Sequence, residues 1–418
     1  MSLRLNTSDL IYNWGTLKHI KKTVKIHDET LRDGLQAPYV HHPTREQKIE
    51  LIKMMDNLGI YCANIGFPIS GENQKKDAIA IAKEKVQNKL KIHLMCAGRT
   101  LIGDVIPIIE VQQKSSTPIE AGLVIGSSKI RQLVEHWDLK YMGKLVKESI
   151  SFANNHNLPV MFVTEDTTRA HPSTLKYLYG IAISEGAKKI CLCDTVGAAT
   201  PEGVKNLIKF VKEKIVKKQK VSIEWHSHRD RGLELANSLA AIEAGADIIE
   251  GTFLGIGERA GNTPTELLLL FLKMENHYSH ILKNLPECIQ FVAKTLGYEI
   301  PVNYPVFGQE AFNTASGMHA AAIYKALQMR RKRLASIVYC GVDPRLVGKM
   351  PEVKIGRMSG KANVLLKLQS LHIKPTSRMV NKILEFAKKH RHLLSDDEIK
   401  NIIYQSKLKL KKKNKRDI

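Results

Sequence analysis

Short apolar segments alternate with amphipathic segments from Lys21 to about Met274. The amphipathic segments repeat with the period of an α-helix, as in REQKIELIKMMDNLG and TPEGVKNLIKFVKEKIVKK. The apolar segments are as short as strands buried on both faces. Eight of them are predicted as strands, namely Val24–Asp28, Tyr61–Gly66, Lys91–Cys96, Glu120–Ile125, Val160–Glu165, Lys189–Asp194, Val221–His228 and Asp247–Phe253.

This alternation predicts a parallel sheet, and eight strand–helix units favour a closed (β/α)8 TIM barrel over an open Rossmann sheet. The predicted barrel spans residues 23–280, after an N-terminal extension at 1–22. A smaller, helix-rich C-terminal region is predicted at 281–405, with a break between two helices near Leu394–Ser395. Residues 406–418 are predicted to be a basic, disordered tail.

Composition is that of a soluble globular protein, with 43% apolar and 25% charged residues. No apolar run approaches the roughly 18 residues that a membrane span requires, and the N-terminus MSLRLNTSDLIYNW lacks the layout of a signal peptide. We therefore predict a cytoplasmic protein without a membrane partner.

The net charge of +23 raises the alternative of a nucleic-acid-binding barrel. However, the lysines are spread through every segment, and the densest run, KLKLKKKNKRDI, begins at Lys407 in the terminal tail. Such a run is usually solvated, so nucleic acid is not the expected partner. A basic surface also favours anionic small molecules.

The six cysteines are scattered, which is typical of buried, reduced thiols. Cys191 and Cys193 share one strand face and could bind a metal, but a single C-x-C pair is weak evidence for such a site.

Polar residues cluster after the predicted strands, where TIM barrels carry their active sites. Asp28–Asp33 follows the first strand, Glu165 ends the fifth, His226 and His228 end the seventh, and the Gly-rich loop GIGERAGN follows the eighth. A barrel without catalytic activity has no need for so many ionisable residues on one rim. The arrangement therefore predicts an enzyme.

His226 and His228 lie two residues apart and so face the same side of their strand. Together with Asp33 and Asn262 they offer two imidazoles and two oxygens, a set that suits Mg²⁺, Mn²⁺, Co²⁺ or Zn²⁺. The alternative is a pair of packed or exposed strand histidines.

A metal with two open positions would bind the carbonyl and one carboxylate oxygen of a 2-oxo acid. Arg32 could then stabilise the oxyanion that develops when a carbon nucleophile attacks; otherwise it forms a salt bridge within the rim. Glu165 could act as a base. Thr195 and Thr252 could bind the substrate carboxylate, although threonine is also a common strand residue.

The motifs HDETLRDGLQAP, NIGFP, FVTEDTTRAHP, DTVGAATP, HSHRDRGLELANSLAAIEAGA and EGTFLGIGERAGN follow one another in this order. With AFNTASGMH, VDPRLVGK and SGKANV, they resemble the 2-isopropylmalate synthase and homocitrate synthase family of DRE-TIM metal-dependent barrels. The resemblance extends from about Thr23 to Val364.

The resemblance implies an acyltransferase that joins acetyl-CoA to a 2-oxo acid by Claisen condensation and then hydrolyses the thioester. The expected activity is that of 2-isopropylmalate synthase, acting on 2-oxoisovalerate in leucine biosynthesis. Homocitrate or citramalate synthase is the alternative, and a retro-Claisen lyase of the 3-hydroxy-3-methylglutaryl-CoA lyase type is a further one. By position, Asp33, His226, His228 and Asn262 would hold the metal, and Arg32 would polarise the keto oxygen.

Other roles are also implied by the resemblance alone. Glu165 would lie near the nucleophile. His319, which without the resemblance would be taken as a structural histidine, would act in catalysis with Tyr339. In the family that pair reaches across a dimer, so a homodimer with shared active sites is expected.

The chain departs from the family pattern at three places. Asn64 stands where the family usually has glutamate, Arg229 replaces a usual asparagine, and Thr314-Ala315 replaces a usual His-Glu or His-Ser. GLQ after Asp33 also resembles 3-hydroxy-3-methylglutaryl-CoA lyase. That lyase carries a cysteine in its Gly-rich loop, and Gly255–Asn262 has none.

Overall fold

Eight parallel strands form a closed barrel in the computed structural model, which describes residues 10–12, 14 and 23–414, the last nine by their backbone alone. The strands follow one another in chain order, and the eighth pairs with the first. They are β1 Lys25–Asp28, β2 Cys62–Asn64, β3 His93–Arg99, β4 Glu120–Gly126, β5 Val160–Glu165, β6 Lys189–Asp194, β7 Ser222–Ser227 and β8 Ile248–Gly251. The predicted barrel and all eight of its strands are confirmed.

Helices α1 to α8 connect successive strands of the barrel, and α9 and α10 follow the last strand. They are α1 Arg45–Leu58, α2 Glu72–Gln87, α3 Ile102–Ser115, α4 Lys129–Glu135, α5 Leu139–Asn155, α6 Pro172–Ser184, α7 Pro201–Phe210, α8 Glu234–Ala244, α9 Thr265–Met274 and α10 Leu285–Leu296. Local sequence sets their ends. For example, Thr44 and Gln47 form a capping box at the start of α1, and Gly59 ends the helix in the left-handed conformation.

Along each strand, side chains point alternately into the barrel and toward the surrounding helices. In β7, Glu224 and His226 take the interior face, whereas Ile223 and Trp225 take the helix-facing side. The interior side chains at the carboxyl end of the strands are the ones that line the cavity described below. The parallel closure therefore gathers residues from all eight strands at one mouth.

The chain divides into two compact units, with the division at Glu299 and Ile300. The predicted barrel ended at residue 280, but α10 belongs to the barrel unit and packs against α1. Its buried residues explain the difference, because Leu285, Ile289 and Val292 give α10 an apolar face that has to be covered.

The second unit is mainly helical, as predicted. Its elements are β9 Asn313–Thr314, α11 Gly317–Gln328, α12 Lys332–Ile337, β10 Glu352–Val353, α13 Lys361–Ser370, α14 Ser377–Lys389 and α15 Asp396–Asn414. The break between α14 and α15 includes Leu394–Ser395, where it was predicted. Helix α15 continues through residues 406–414 of the tail that was expected to be disordered, and residues 415–418 lie outside the described residues.

Almost all of the predicted N-terminal extension at 1–22 also lies outside the described residues. Within the described ranges, no helix combines the length and the apolar character needed to cross a bilayer.

Asp28, at the end of β1, gives a testable link between pH and stability. Burial raises the pKa of Asp28 to about 6, although hydrogen bonds from Thr30 and Thr265 act in the opposite direction. Because the folded state holds this proton more tightly than the unfolded state, the contribution to stability is present below about pH 4 and is lost as the pH rises through 6.

Asp28→Asn should remove this dependence while keeping an acceptor for the Thr30 amide, and the Thr265 hydroxyl can accept from the new amide group. The free energy of unfolding of the variant, minus that of the wild type, should increase by up to about 3 kcal/mol between pH 4 and pH 7. Denaturant titrations of both proteins across this range measure the difference. A difference that does not change with pH would contradict the prediction.

Candidate active site

A cavity of about 290 Å³ opens at the carboxyl ends of the barrel strands. Most of the predicted site residues of the barrel line it. The lining comprises Glu29, Arg32, Asp33, Gln36, Asn64, Met95, Ala97, Gly122, Val124, Met161, Val163, Glu165, Cys193, Thr195, His226, His228, Glu250, Glu258 and Arg259.

Three of the predicted metal ligands converge in this cavity. Nε2 of His226 lies 3.1 Å from Nε2 of His228, and Oδ2 of Asp33 lies 3.9 Å and 3.7 Å from these two nitrogens. All three residues are buried. With metal–ligand bonds of about 2.0–2.2 Å, donors on neighbouring positions of one ion lie roughly 3 Å or more apart, so the spacing suits a single ion.

Asn262 joins the three from the Gly-rich loop after β8. Its amide nitrogen donates to Oδ1 of Asp33 at 2.7 Å and to the Ile256 carbonyl at 3.1 Å. Gly257 permits this approach, since a Cβ there would lie 2.0 Å from the Asn262 amide nitrogen. The loop therefore requires glycine at this position in order to bring the amide to the carboxylate.

Two polar atoms of these four residues have no hydrogen-bond partner among the described residues. Among the described residues, Oδ1 of Asn262 is buried without a hydrogen bond, and so is Nδ1 of His228. Buried polar atoms are rarely left unpaired unless a water molecule or ion satisfies them. The orphaned oxygen, the two imidazoles and the carboxylate together fit a divalent ion.

The pKa values of Asp33, His226 and His228 are shifted in different directions. Burial alone would raise the pKa of Asp33, but Arg32 and the two imidazoles hold it well below its usual range. Burial would lower the pKa of His226, whereas the hydrogen bond to Glu250 raises it to about 10. Burial lowers the pKa of His228 to about 4, and the neighbouring His226 adds to this effect. The carboxylate and one neutral imidazole are thus ready to bind a cation.

Arg32 lies beside the metal donors and is held by two carboxylates. Its Nε donates to Glu29 at 2.5 Å and its Nη1 donates to Asp33 at 2.9 Å. Asn64 donates to Glu29 at 3.0 Å, and so helps to hold the carboxylate that orients the guanidinium. The rim salt bridge considered as an alternative is present, but Arg32 also lines the cavity.

Glu165 and Thr195 line the cavity, and Thr252 does not. Glu165 lies 3.0 Å from Nε of Arg131, and burial raises its pKa. The Thr195 hydroxyl accepts a hydrogen bond from the Asp166 backbone. The fully buried Thr252 instead donates to the Ile256 carbonyl at 2.6 Å, so its hydroxyl fastens the Gly-rich loop and is not free for a substrate.

His319 and Tyr339 belong to the helical unit and contact each other. Their rings stack with centroids 3.7 Å apart and an angle of 19° between the planes. Nδ1 of His319 lies 3.4 Å from the Thr314 hydroxyl. The two side chains therefore contact each other within one chain, and their catalytic role stays a prediction.

Sequence reasoning missed two buried carboxylates. Glu29 holds Arg32, and Glu250 accepts a hydrogen bond from Nδ1 of His226 at 2.7 Å. A signal for Glu250 was available, because a glutamate inside the apolar strand segment DIIEGTF is rarely buried without a partner.

Glu250→Gln should weaken metal binding about 10- to 100-fold, since the carboxylate orients the imidazole and increases its basicity. Titration with Mn²⁺ measures the change, and Glu243→Gln on α8, away from the cavity, is the matched control. Unchanged affinity in the Glu250 variant would show that His226 does not depend on this bond.

A protein-family model described as HMGL-like matches residues 23–292, which is more than half of the chain. The homocitrate synthase AksA of Methanopyrus kandleri is 31% identical over 388 residues, covering 91% of this chain and 91% of the relative. The 2-isopropylmalate synthase of Pyrococcus furiosus is 32% identical over 380 residues, covering 88% of this chain and 72% of the relative.

Solved structures agree on the fold. The HMG-CoA lyase of Bacillus subtilis superposes with a TM-score of 0.58 at 21% identity, covering 68% of this chain and 96% of the lyase. At this level of identity the likeness concerns the barrel alone. The family model and the two synthases show that the chain belongs to the HMGL-like family of DRE-TIM barrels.

Proposed function

We propose that the protein is an acyltransferase that condenses acetyl-CoA with a 2-oxo acid and hydrolyses the resulting thioester. The observation that carries the proposal is the convergence of Asp33, His226, His228 and Arg32 in one cavity. Relatives named homocitrate synthase and 2-isopropylmalate synthase support this reaction class.

The preferred 2-oxo acid is proposed to be 2-oxoisovalerate, which would make the protein a 2-isopropylmalate synthase in leucine biosynthesis. An apolar wall supports this choice, since a branched aliphatic chain gains by burial against such a surface. The wall consists of Met95, Ala97, Val124, Met161 and Val163.

The two arginine side chains that line the cavity are already hydrogen-bonded to other groups of the protein. Arg32 is bound to Glu29 and Asp33, and Arg259 to Asp230 and the Thr195 carbonyl. A second carboxylate on the substrate, as in 2-oxoglutarate, would have to displace one of these contacts. Burying a charge without a partner is costly, which favours an apolar side chain.

In the proposed reaction a new bond joins the methyl carbon of acetyl-CoA to the keto carbon of the oxo acid. Water then cleaves the carbon–sulfur bond of the thioester and releases CoA as a thiol. When bound to the four donors, Mg²⁺, Mn²⁺, Co²⁺ or Zn²⁺ would supply positive charge to the keto oxygen. Arg32, oriented by Glu29, adds a second positive charge at the same mouth.

The methyl group has to lose a proton before it can attack. We assign Glu165, which lines the cavity and whose pKa is raised by burial, as a group that accepts and returns this proton. We assign His319, supported by Tyr339, to proton transfer in the same reaction, as the family resemblance implies. Thr195 is proposed to bind the substrate carboxylate.

Thiol release from acetyl-CoA, measured with a panel of 2-oxo acids, tests the proposal. The highest kcat/KM is expected with 2-oxoisovalerate, accompanied by a product of the mass of 2-isopropylmalate. Arg32→Gln should be nearly inactive, whereas Lys140→Gln on an exposed face of α5 should match the wild type. Thiol release with no acceptor, or cleavage of 3-hydroxy-3-methylglutaryl-CoA, would instead indicate a hydrolase or a lyase.

Homocitrate synthase is the second candidate, and one observation favours it. The Methanopyrus kandleri homocitrate synthase and this chain each align over 91% of their length. Condensation with 2-oxoglutarate at a higher kcat/KM than with 2-oxoisovalerate would establish this alternative, and preference for pyruvate would indicate a citramalate synthase.

A further inference from the structure

A buried polar layer lies deeper in the barrel than the metal donors. The interior of a TIM barrel is typically filled by bulky branched residues. Here His27 of β1 is in register with Cys62 of β2 and Glu250 of β8, and Cys191 of β6 is in register with Glu224 of β7. All five residues are at most 3% exposed. A layer this polar requires an explanation other than packing.

His27 lies at the centre of three buried carboxylates. Its Nδ1 is hydrogen-bonded to Glu224 and lies 3.8 Å from Oε1 of Glu250, while its Nε2 lies 3.4 Å from Oε1 of Glu29. Buried carboxylates are costly unless a cation or a hydrogen-bond donor compensates them. The imidazole of His27 is therefore shared among groups that would otherwise repel one another.

Two of these carboxylates hold candidate catalytic groups. Glu29 accepts from Nε of Arg32, and Glu250 accepts from Nδ1 of the metal donor His226. His27 thus stands between the supports of Arg32 and His226. Burial would lower the pKa of His27, but the neighbouring Cys62 and Glu224 raise it above its ordinary value.

We propose that His27 is a positioning residue, which holds Glu29 and Glu250 in place and through them fixes Arg32 and His226 for metal and substrate binding. The reaction part of this inference rests on the proposed function, whereas the metal part does not. His27, Glu224 and Glu250 also lie close enough together to be considered as a second metal site. The direct hydrogen bond between His27 and Glu224 favours a proton over an ion.

A single and a double variant together test whether His27 positions Glu29 and Glu250 or only compensates the charge of Glu224. In His27→Leu, Glu224 is left buried without its partner, so the protein should melt at a lower temperature. In the double variant His27→Leu/Glu224→Leu the closest pair is gone, and the melting temperature should recover. Glu29 and Glu250 still lack the imidazole, however, so both variants should bind Mn²⁺ about 10- to 100-fold more weakly than the wild type.

The measurements are melting temperature, Mn²⁺ affinity without substrate, metal content per chain, and kcat and KM for thiol release. We expect one ion per chain in the wild type and a lower kcat in both variants. Recovery of Mn²⁺ affinity along with stability in the double variant would overturn the proposal, because His27 would then only balance Glu224. Two ions per wild-type chain, with one lost in the variants, would also overturn it.

If the single variant fails to fold, the double variant decides the question by its metal affinity alone. If the wild type releases no thiol with any 2-oxo acid, the proposed function fails, but the Mn²⁺ titrations still test the role of His27.

Discussion

His228→Ala should abolish detectable thiol release and weaken divalent-metal binding, while the barrel stays folded. His228 follows β7 at the mouth of the barrel, and its Nε2 lies within 3.7 Å of Asp33 and 3.1 Å of His226. Loss of this ligand removes the charge that is proposed to stabilise the developing oxyanion. Such stabilisation is worth several kcal/mol, and every 1.36 kcal/mol is a factor of ten in rate.

The expected loss in kcat/KM is therefore at least about 1,000-fold. Mn²⁺ titration and thiol release with 2-oxoisovalerate measure the two effects, and circular dichroism establishes that the variant is folded. His156→Ala, at the exposed end of α5, is the matched control for removal of an imidazole. Full activity of the His228 variant after metal removal would refute the site.

His319→Ala should lower kcat far more than it changes the KM for the oxo acid. A positioned acid or base typically contributes about 100- to 10,000-fold to the rate. Since His319 stacks on Tyr339, part of any loss could come from the ring contact. Tyr339→Phe keeps the stacked ring and removes the hydroxyl, and therefore tests whether that hydroxyl takes part in proton transfer.

Steady-state kinetics of both variants provide the comparison. A small effect of Tyr339→Phe with a large effect of His319→Ala assigns the chemistry to the imidazole. Equal and modest losses in both would mean that the pair serves stability. A raised KM with unchanged kcat would mean that His319 binds substrate without assisting the chemical step.

His319→Ala, combined with Asp33→Ala, tests the expected homodimer with shared active sites. His319→Ala and Asp33→Ala chains should each be inactive alone, and should regain thiol release when subunits exchange. No recovery in verified heterodimers would mean that His319 acts only within its own chain or not at all.

Much of the barrel could be predicted because its signals are local. A strand buried on both faces is apolar along most of its length, and the helix after it shows a 3.6-residue period. The same locality explains why His226 and His228 were identified: two residues apart in a strand, they share one face whatever the rest of the chain does. Asp33 and Asn262 were placed with them by position at strand ends and by family resemblance.

Local sequence patterns do not predict contacts between segments that are distant along the chain. His27 and Glu224 are separated by 197 residues, and their pairing depends on barrel register. The hydrogen bond from the Thr252 hydroxyl to the Ile256 carbonyl depends on how the Gly-rich loop folds back onto β8. The amphipathic pattern of α10 likewise does not tell which unit covers its apolar face, and the structure packs this helix in the barrel unit, beyond the predicted boundary at 280.

By itself, therefore, the sequence determined the fold class, the eight strands and the residue types available at the mouth of the barrel. Periodicity and strand alternation are properties of a single segment, and each segment carries them in its own residues. Closure of the barrel decided that Glu250 supports His226 and that His27 stands between Glu250 and Glu29. Those contacts arise only when β1, β7 and β8 become neighbours, since hydrogen bonds between side chains depend on ångström-scale positions that no single segment specifies.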